Sequence, residues 1–298
     1  MKIFSIGSPQ TNYQRKLGGI PILMLFILLK SNPLLAQENI QFEPIAEFSS
    51  AIDFCFSIRN NFYVIEGQTQ EILEIDFNGN KIKRGGGFGW AAGLFDSPSA
   101  IFSNFLTVYV TDKNNHRVQS FDKDLNYIGS LITQLSGFGN FKEIRYPSDC
   151  IIDLQGDYFI LDSENNRVAK FDPFGSFIMD FGGINMGNFS LHKPGKLLLL
   201  NETVLSVLDE SRLIAYDFFG NGLSIVPLPE AFSSIAGTES VLLGAAGNLL
   251  YKKDITKSGS GWVKFAANIN ENIIKVNIKN GIVFALTKTA LYRSIEKQ

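Results

Sequence analysis

Short apolar runs divided by polar turns make up most of this chain. Val108–Thr111 and Tyr158–Leu161 carry apolar bulk at consecutive positions, as strands sandwiched between neighbouring sheets must. Each run opens into an Asn-rich turn, Asp112–His116 or Asp162–Asn166, where Asx side chains bond the nearby backbone. Arg117-Val118 and Arg167-Val168 then restart a strand, so Arg follows the turn's Asp by five residues in both copies. That spacing predicts a charge-assisted hydrogen bond pinning the turn. A second turn follows. Asp76-Phe-Asn-Gly79, Asp172-Pro-Phe-Gly175 and Asp217-Phe-Phe-Gly220 place Gly three residues after Asp, which suits a tight hairpin with Gly at positive φ. An outer strand such as Phe177–Phe181 comes next. A Gly-rich crossing then runs to a proline, Gly85–Gly89 to Pro98 or Phe181–Gly183 to Pro194.

These pieces recur. The pairs Ile75-Asp76, Phe121-Asp122, Phe171-Asp172 and Tyr216-Asp217 are spaced by 46, 50 and 45 residues, with weaker echoes at Tyr251-Lys252 and Tyr292-Arg293. A period of about 44 residues lies in the range of four-stranded propeller blades. The last unit supplies only three strands, Ile273–Ile278, Ile282–Leu286 and Ala290–Ile295, while Ile40–Phe48 reads as an unassigned strand near the amino end. A strand donated from the amino terminus would close a ring and hide two sheet edges.

Asn115-His116-Arg117-Val118 with Phe121-Asp122, and Asn165-Asn166-Arg167-Val168 with Phe171-Asp172, resemble the NHL-repeat family, named for an Asn-His-Leu run. The resemblance is strong over 98–194, fair over 51–97 and faint over 196–298. It implies an all-β fold, a six-bladed β-propeller of four-stranded antiparallel blades. It also implies two lines of enzyme for comparison: amidating lyases with His-bound zinc, and gluconolactonase-like hydrolases with a metal in the central funnel.

Composition adds an address. Of 298 residues, 45% are hydrophobic and 26 are Phe, a globular composition that favours stacked sheets. Arg15-Lys16, the apolar run Ile20–Leu29 and Ala36 ahead of Gln37 form a secretory leader pattern. This predicts a signal peptide over 1–36 and a propeller over 37–298, exported to the periplasm or the extracellular space. Retention of the leader as a membrane anchor is the alternative. Without the leader's four basic residues, 23 basic side chains face 29 acidic ones, a balance that argues against nucleic acid.

Chemistry is scarce. The Arg84–Gly89 run lacks the Lys-Ser/Thr and helix of a phosphate cradle and reads as a crossing. His116 and His192 are the only histidines, too few for a catalytic zinc site. Cys55 and Cys150 both lie in apolar strand-like runs and are expected to be separate buried thiols. The expected role is a binding or scaffold module for a cell-envelope protein or another ligand, without catalysis and without a cofactor. Its recognition surface is sought in the crossings 84–97 and 132–146, at Phe88, Trp90, Phe138 and Phe141. A metal-dependent hydrolase or lyase is the alternative, with Asp53, Asp149 and Asp153 as the funnel candidates. A structural calcium on the axis is its milder form.

Overall fold

The computed structural model describes residues 39–104, 106–133 and 143–295. The predicted leader over 1–36 lies outside them, as do Phe138 and Phe141. The described chain is all-β, built of strands with two short 3-10 turns.

Strand β1 (Asn39–Glu47) is followed by consecutive antiparallel meanders. The first holds β2 (Ala51–Phe56), β3 (Phe62–Glu66), β4 (Glu71–Ile75) and β5 (Lys81–Gly86). The second holds β6 (Pro98–Asn104), β7 (Thr107–Asp112), β8 (Arg117–Asp122) and β9 (Tyr127–Ile132). The third holds β10 (Asp149–Ile152), β11 (Tyr158–Asp162), β12 (Arg167–Phe171) and β13 (Phe177–Phe181). The fourth holds β14 (Pro194–Leu200), β15 (Val204–Asp209), β16 (Arg212–Tyr216) and β17 (Gly222–Pro227). The rest is β18 (Ser234–Gly237), β19 (Val241–Ala246), β20 (Leu249–Asp254), β21 (Val263–Ala267), β22 (Ile273–Lys279), β23 (Ile282–Thr287) and β24 (Ala290–Ile295).

Four meanders are separate four-stranded sheets. The other eight strands form one sheet in the order β18-β19-β20-β21-β1-β24-β23-β22. The repeat spacing predicts six separate units, and the difference has a local cause. Strand β1 pairs antiparallel with β24, from Gln41 opposite Ile295 to Glu47 opposite Ala290. Its first two residues also pair in parallel with Ala266 and Ala267 at the end of β21. The amino-terminal strand thus adds a fourth strand to β22–β24, as its sequence suggested, and joins that meander to the preceding one.

The outermost strand of each meander is the least buried. Strands β3, β12 and β19 are buried at every residue, whereas β5 and β9 are largely exposed. Apolar clusters fill the spaces between successive sheets. One joins Ile65, Ile72 and Phe95 to Val108, Val110 and Phe121, and another joins Phe159 and Leu161 to Leu205, Val207 and Tyr216. Phenylalanine concentrates where the chain's two ends meet. Phe54, Phe56, Phe62, Phe77 and Phe284 form contacting ring pairs with centroids 5.2 to 6.3 Å apart.

The predicted pins are present. Arg117 Nε lies 2.8 Å from Asp112 Oδ2, and Arg167 Nε lies 2.9 Å from Asp162 Oδ2. The Asp-x-x-Gly turns close on themselves. Asp76, Asp172 and Asp217 each accept N–H bonds from the residues two and four positions on, while Gly79, Gly175 and Gly220 have φ of 87°, 85° and 78°.

Candidate functional site

The first strand of each meander lines the centre. These strands touch in the order β2, β6, β10, β14, β18 and β22, and β22 touches β2 again. Pairing with the second strands places Ala100, Asp149, Lys196, Ser234 and Lys275 at one register level, opposite Thr111, Leu161, Leu208, Ala245 and Leu286. Asp53 reaches that level through a register shift between Ala51 and Phe54. Similar shifts precede Ala100, Lys196 and Lys275. Such bulges re-aim a side chain, here towards the axis.

The ring carries two acids and two amines. Lys275 Nζ lies 3.0 Å from Asp53 Oδ1, and Lys196 Nζ approaches Asp53 Oδ2 at 3.6 Å. The acids also serve the inner sheet edges. Asp53 Oδ2 accepts the Ile101 N–H at 3.3 Å, Asp149 Oδ2 accepts the Leu197 N–H at 2.9 Å, and Ser234 Oγ accepts the Val276 N–H at 3.1 Å. Every second first strand thereby satisfies a buried donor of the strand after it.

Electrostatics separates the two acids. Burial pushes the Asp53 carboxyl up, but the ammoniums of Lys275 and Lys196 outweigh it and hold Asp53 below the usual range. Burial prevails at Asp149, which lacks so close a cation, and raises its carboxyl. A cavity of about 190 Å³ continues along the axis, lined by Cys55, Phe102, Ile151, Leu198 and Ala236.

The structure brings Asp53 and Asp149 to the axis but not Asp153. Asp153 instead caps the β10–β11 turn, its Oδ1 accepting the Gln155 and Asp157 N–H groups at 2.9 Å each. The sequence placed it one strand-length too close, because a turn acid and an axial acid look alike beside a short strand. Lys196 and Lys275 were missed, since a lysine in a strand reads as a solvated one. A signal for Lys196 was available: it stands two residues after Pro194, as Asp149 stands after Pro147 and Ala100 after Pro98.

Calcium takes six to eight oxygen ligands. The axis offers two carboxylates already engaged by backbone N–H groups, one with an ammonium beside it, so these residues do not fit that ion. Among the described residues no group of three or more His, Cys, Asp and Glu gathers as a metal site. His116 sits at φ 52° in its turn, with Nδ1 accepting the Tyr146 N–H at 3.2 Å. His192 is exposed, its Nδ1 3.3 Å from Arg212 Nη2. Cys55 and Cys150 are buried and unpaired, and burial pushes both thiols up, away from the reactive thiolate.

The other candidate surface is the crossing 84–97. Its backbone is fixed by the neighbouring meander. Arg117 Nη2 donates to the carbonyls of Ala91 and Leu94 at 3.0 and 2.8 Å, Asn115 Nδ2 to Gly89 O at 2.9 Å, and Gln119 Nε2 to Leu94 O at 2.7 Å. Phe95 is fully buried beneath it. Gly86 has φ of 105°, and a Cβ there would lie 2.6 Å from the Phe95 ring, so the glycine run serves the crossing's path. On this fixed loop Phe88 is 67% exposed and Trp90 76%. Both are surface residues. A groove of about 960 Å³ lies in the corresponding later crossing, lined by Asp180, Ile184, Met186 and His192.

No family model matches the chain. It is 26% identical over 145 residues to Protein brain tumor of Drosophila melanogaster, covering 46% of this chain and 13% of that protein. A solved streptogramin B lyase superposes with a TM-score of 0.61 at 13% identity, covering 86% of this chain and 98% of the other. A catalytically inactive virginiamycin B lyase from Staphylococcus aureus, solved with quinupristin, gives 0.58 at 12% identity, covering 83% and 82%. The fold is therefore that of a β-propeller-like protein with four-stranded antiparallel blades. At such identities the lyases speak for the fold alone.

Proposed function

We propose that the chain is a six-bladed, NHL-type propeller that binds a protein partner of the cell envelope through its crossing-loop face, without catalysis. Six blades follow if the eight-stranded sheet is read as two. The β-ladder between its halves has two residue pairs, Asn39 with Ala266 and Ile40 with Ala267, and the first strands close a cycle of six. The observation that carries the binding role is Trp90 with Phe88, two large aromatics held in solvent by a loop whose backbone is bonded to three polar side chains. Rigid aromatic anchors of this kind dominate protein interfaces, and loops on a fixed scaffold usually carry recognition.

The catalytic alternative would place a metal or a substrate at the axis, where Asp53 is already paired with Lys275. A photo-crosslinking residue at position 90, in the exported protein within its own host, tests the proposal. The expected result is one discrete adduct that disappears when Phe88 is changed to Ser. No adduct at position 90, together with stoichiometric metal in the purified protein, would move the function to the axis.

A further inference from the structure

We infer that the ring face opposite Trp90 seats on a lipid bilayer. This does not rest on the partner proposal. In each meander the turn between first and second strands and the turn between third and fourth lie at one end. Contacts between successive meanders join these turns into one surface. Arg59 Nη2 in the β2–β3 turn lies 2.8 Å from Asp124 Oδ1 in the β8–β9 turn. Asn104 Nδ2 donates to Asp153 O at 3.2 Å. Lys170 Nζ donates to Phe218 O in the β16–β17 turn at 3.2 Å and pairs with Asp157 at 2.9 Å.

Large apolar side chains stand out of this surface. Phe174 is 94% exposed and Phe219 76%, with Ile58, Leu106 and Leu154 also exposed. Phe174 and Phe219 occupy the same place in successive Asp-x-x-Gly turns, two residues after Asp172 and Asp217, where only their N–H is used. The corresponding residues in the other two turns are Asn78 and Asp124. The turn therefore asks for no phenylalanine there.

The occupant is a lipid surface for two reasons. The apolar groups are separate tips on turns, which suits shallow insertion among acyl chains better than a single complementary groove. The chain also enters the fold at this end, because Gln41 pairs with Ile295, the last residue of β24. The apolar segment Ile20–Leu29 with Leu34-Leu35 precedes this entry point in the sequence. Charge selects the lipid. Asp124 faces Arg59 and Lys123, Asp157 faces Lys170, and Asp76, Asp122, Asp172 and Asp217 add carboxylates. With no cationic surplus to attract anionic headgroups, the seat is on zwitterionic lipid and insensitive to salt.

Full-length protein carrying Phe174→Cys, Phe219→Cys or Trp90→Cys tests this, since Cys55 and Cys150 are buried and leave one site open to an environment-sensitive fluorophore. Each labelled protein is mixed with phosphatidylcholine vesicles containing nitroxide-labelled lipid. We expect quenching at 174 and 219 to exceed that at 90 by about threefold or more, unchanged by salt. Equal quenching at all three sites would mean that the amino-terminal segment alone holds the protein, and would overturn the seat. So would a blue shift at 174 before lipid is added, which indicates a second copy of the chain. Phe174→Ser with Phe219→Ser should abolish the difference at Leu154→Cys while leaving the melting temperature unchanged; a preserved difference there would also overturn it.

Discussion

Asp53 and Lys275 face each other across the ring closure, carboxylate to ammonium at 3.0 Å, one on the first strand of the first meander and the other on the first strand of the last. Removing one partner of a buried pair strands the other charge and costs several kcal/mol; here the ammonium keeps some access to solvent. Asp53→Asn is expected to destabilise by about 2–3 kcal/mol. Adding Lys275→Met should return at least about 1 kcal/mol as coupling in a double-mutant cycle, read by urea denaturation.

Acid should weaken the fold with a defined sign. Asp53, Asp76, Asp122 and Asp217 are all held below the usual carboxylate range. Their contribution is present above the unfolded value of about 4 and is lost as pH falls through the folded values. Asp149 has the opposite sign. Its raised carboxyl contributes stability that is present below the unfolded value and lost as pH rises through the folded one. Melting temperature should therefore drop below pH 4, and Asp149→Asn should compare better with the parent at pH 7 than at pH 3.

Asn268 serves as a side-chain extension of the β21–β1 joint. Its Oδ1 accepts the Phe42 N–H at 2.6 Å and its Nδ2 donates to Phe42 O at 2.9 Å, across 226 residues of sequence. Asn268→Ala leaves both backbone groups without that partner, at a cost of about 2 kcal/mol. Hydrogen exchange should quicken in 40–46 while β10–β13 keeps its protection.

Two glycines of nearly equal φ give a controlled comparison. Gly79 and Gly281 have φ of 87° and 80°; a Cβ on Gly79 would lie 1.5 Å from Ile45 O, whereas one on Gly281 meets nothing within 4 Å. Gly281→Ala should cost about 1–2 kcal/mol for the left-handed conformation alone. Gly79→Ala adds a backbone clash and should cost upwards of about 4 kcal/mol, measured by thermal unfolding.

The sequence was most readable where one short segment makes its own bonds. Asp112 with Arg117 and Asp162 with Arg167 are five residues apart, and that spacing sufficed. So did Asp76, Asp172 and Asp217 with their glycines. The axial ring was half visible. Asp53 and Asp149 stood out as acids in apolar runs, but Lys196 and Lys275 acquire meaning only through strands far away in the chain. The joint at Ala266–Ala267 was invisible, because two small apolar residues at a strand end announce no partner.

Strand β1 has a consequence for how the protein is made. Among the described strands it is the first to leave the ribosome, and its antiparallel partner, β24, is the last. Every meander from β2 to β17 can complete its pairing as soon as it has been synthesised, while β1 has to remain available until β24 has been made. A shortened product that ends before β24 keeps every earlier sheet, yet leaves β1 without its antiparallel partner, an open edge at which one unfinished chain can pair with another. The ladder from Gln41 with Ile295 to Glu47 with Ala290 thus forms only once both of its strands have been made.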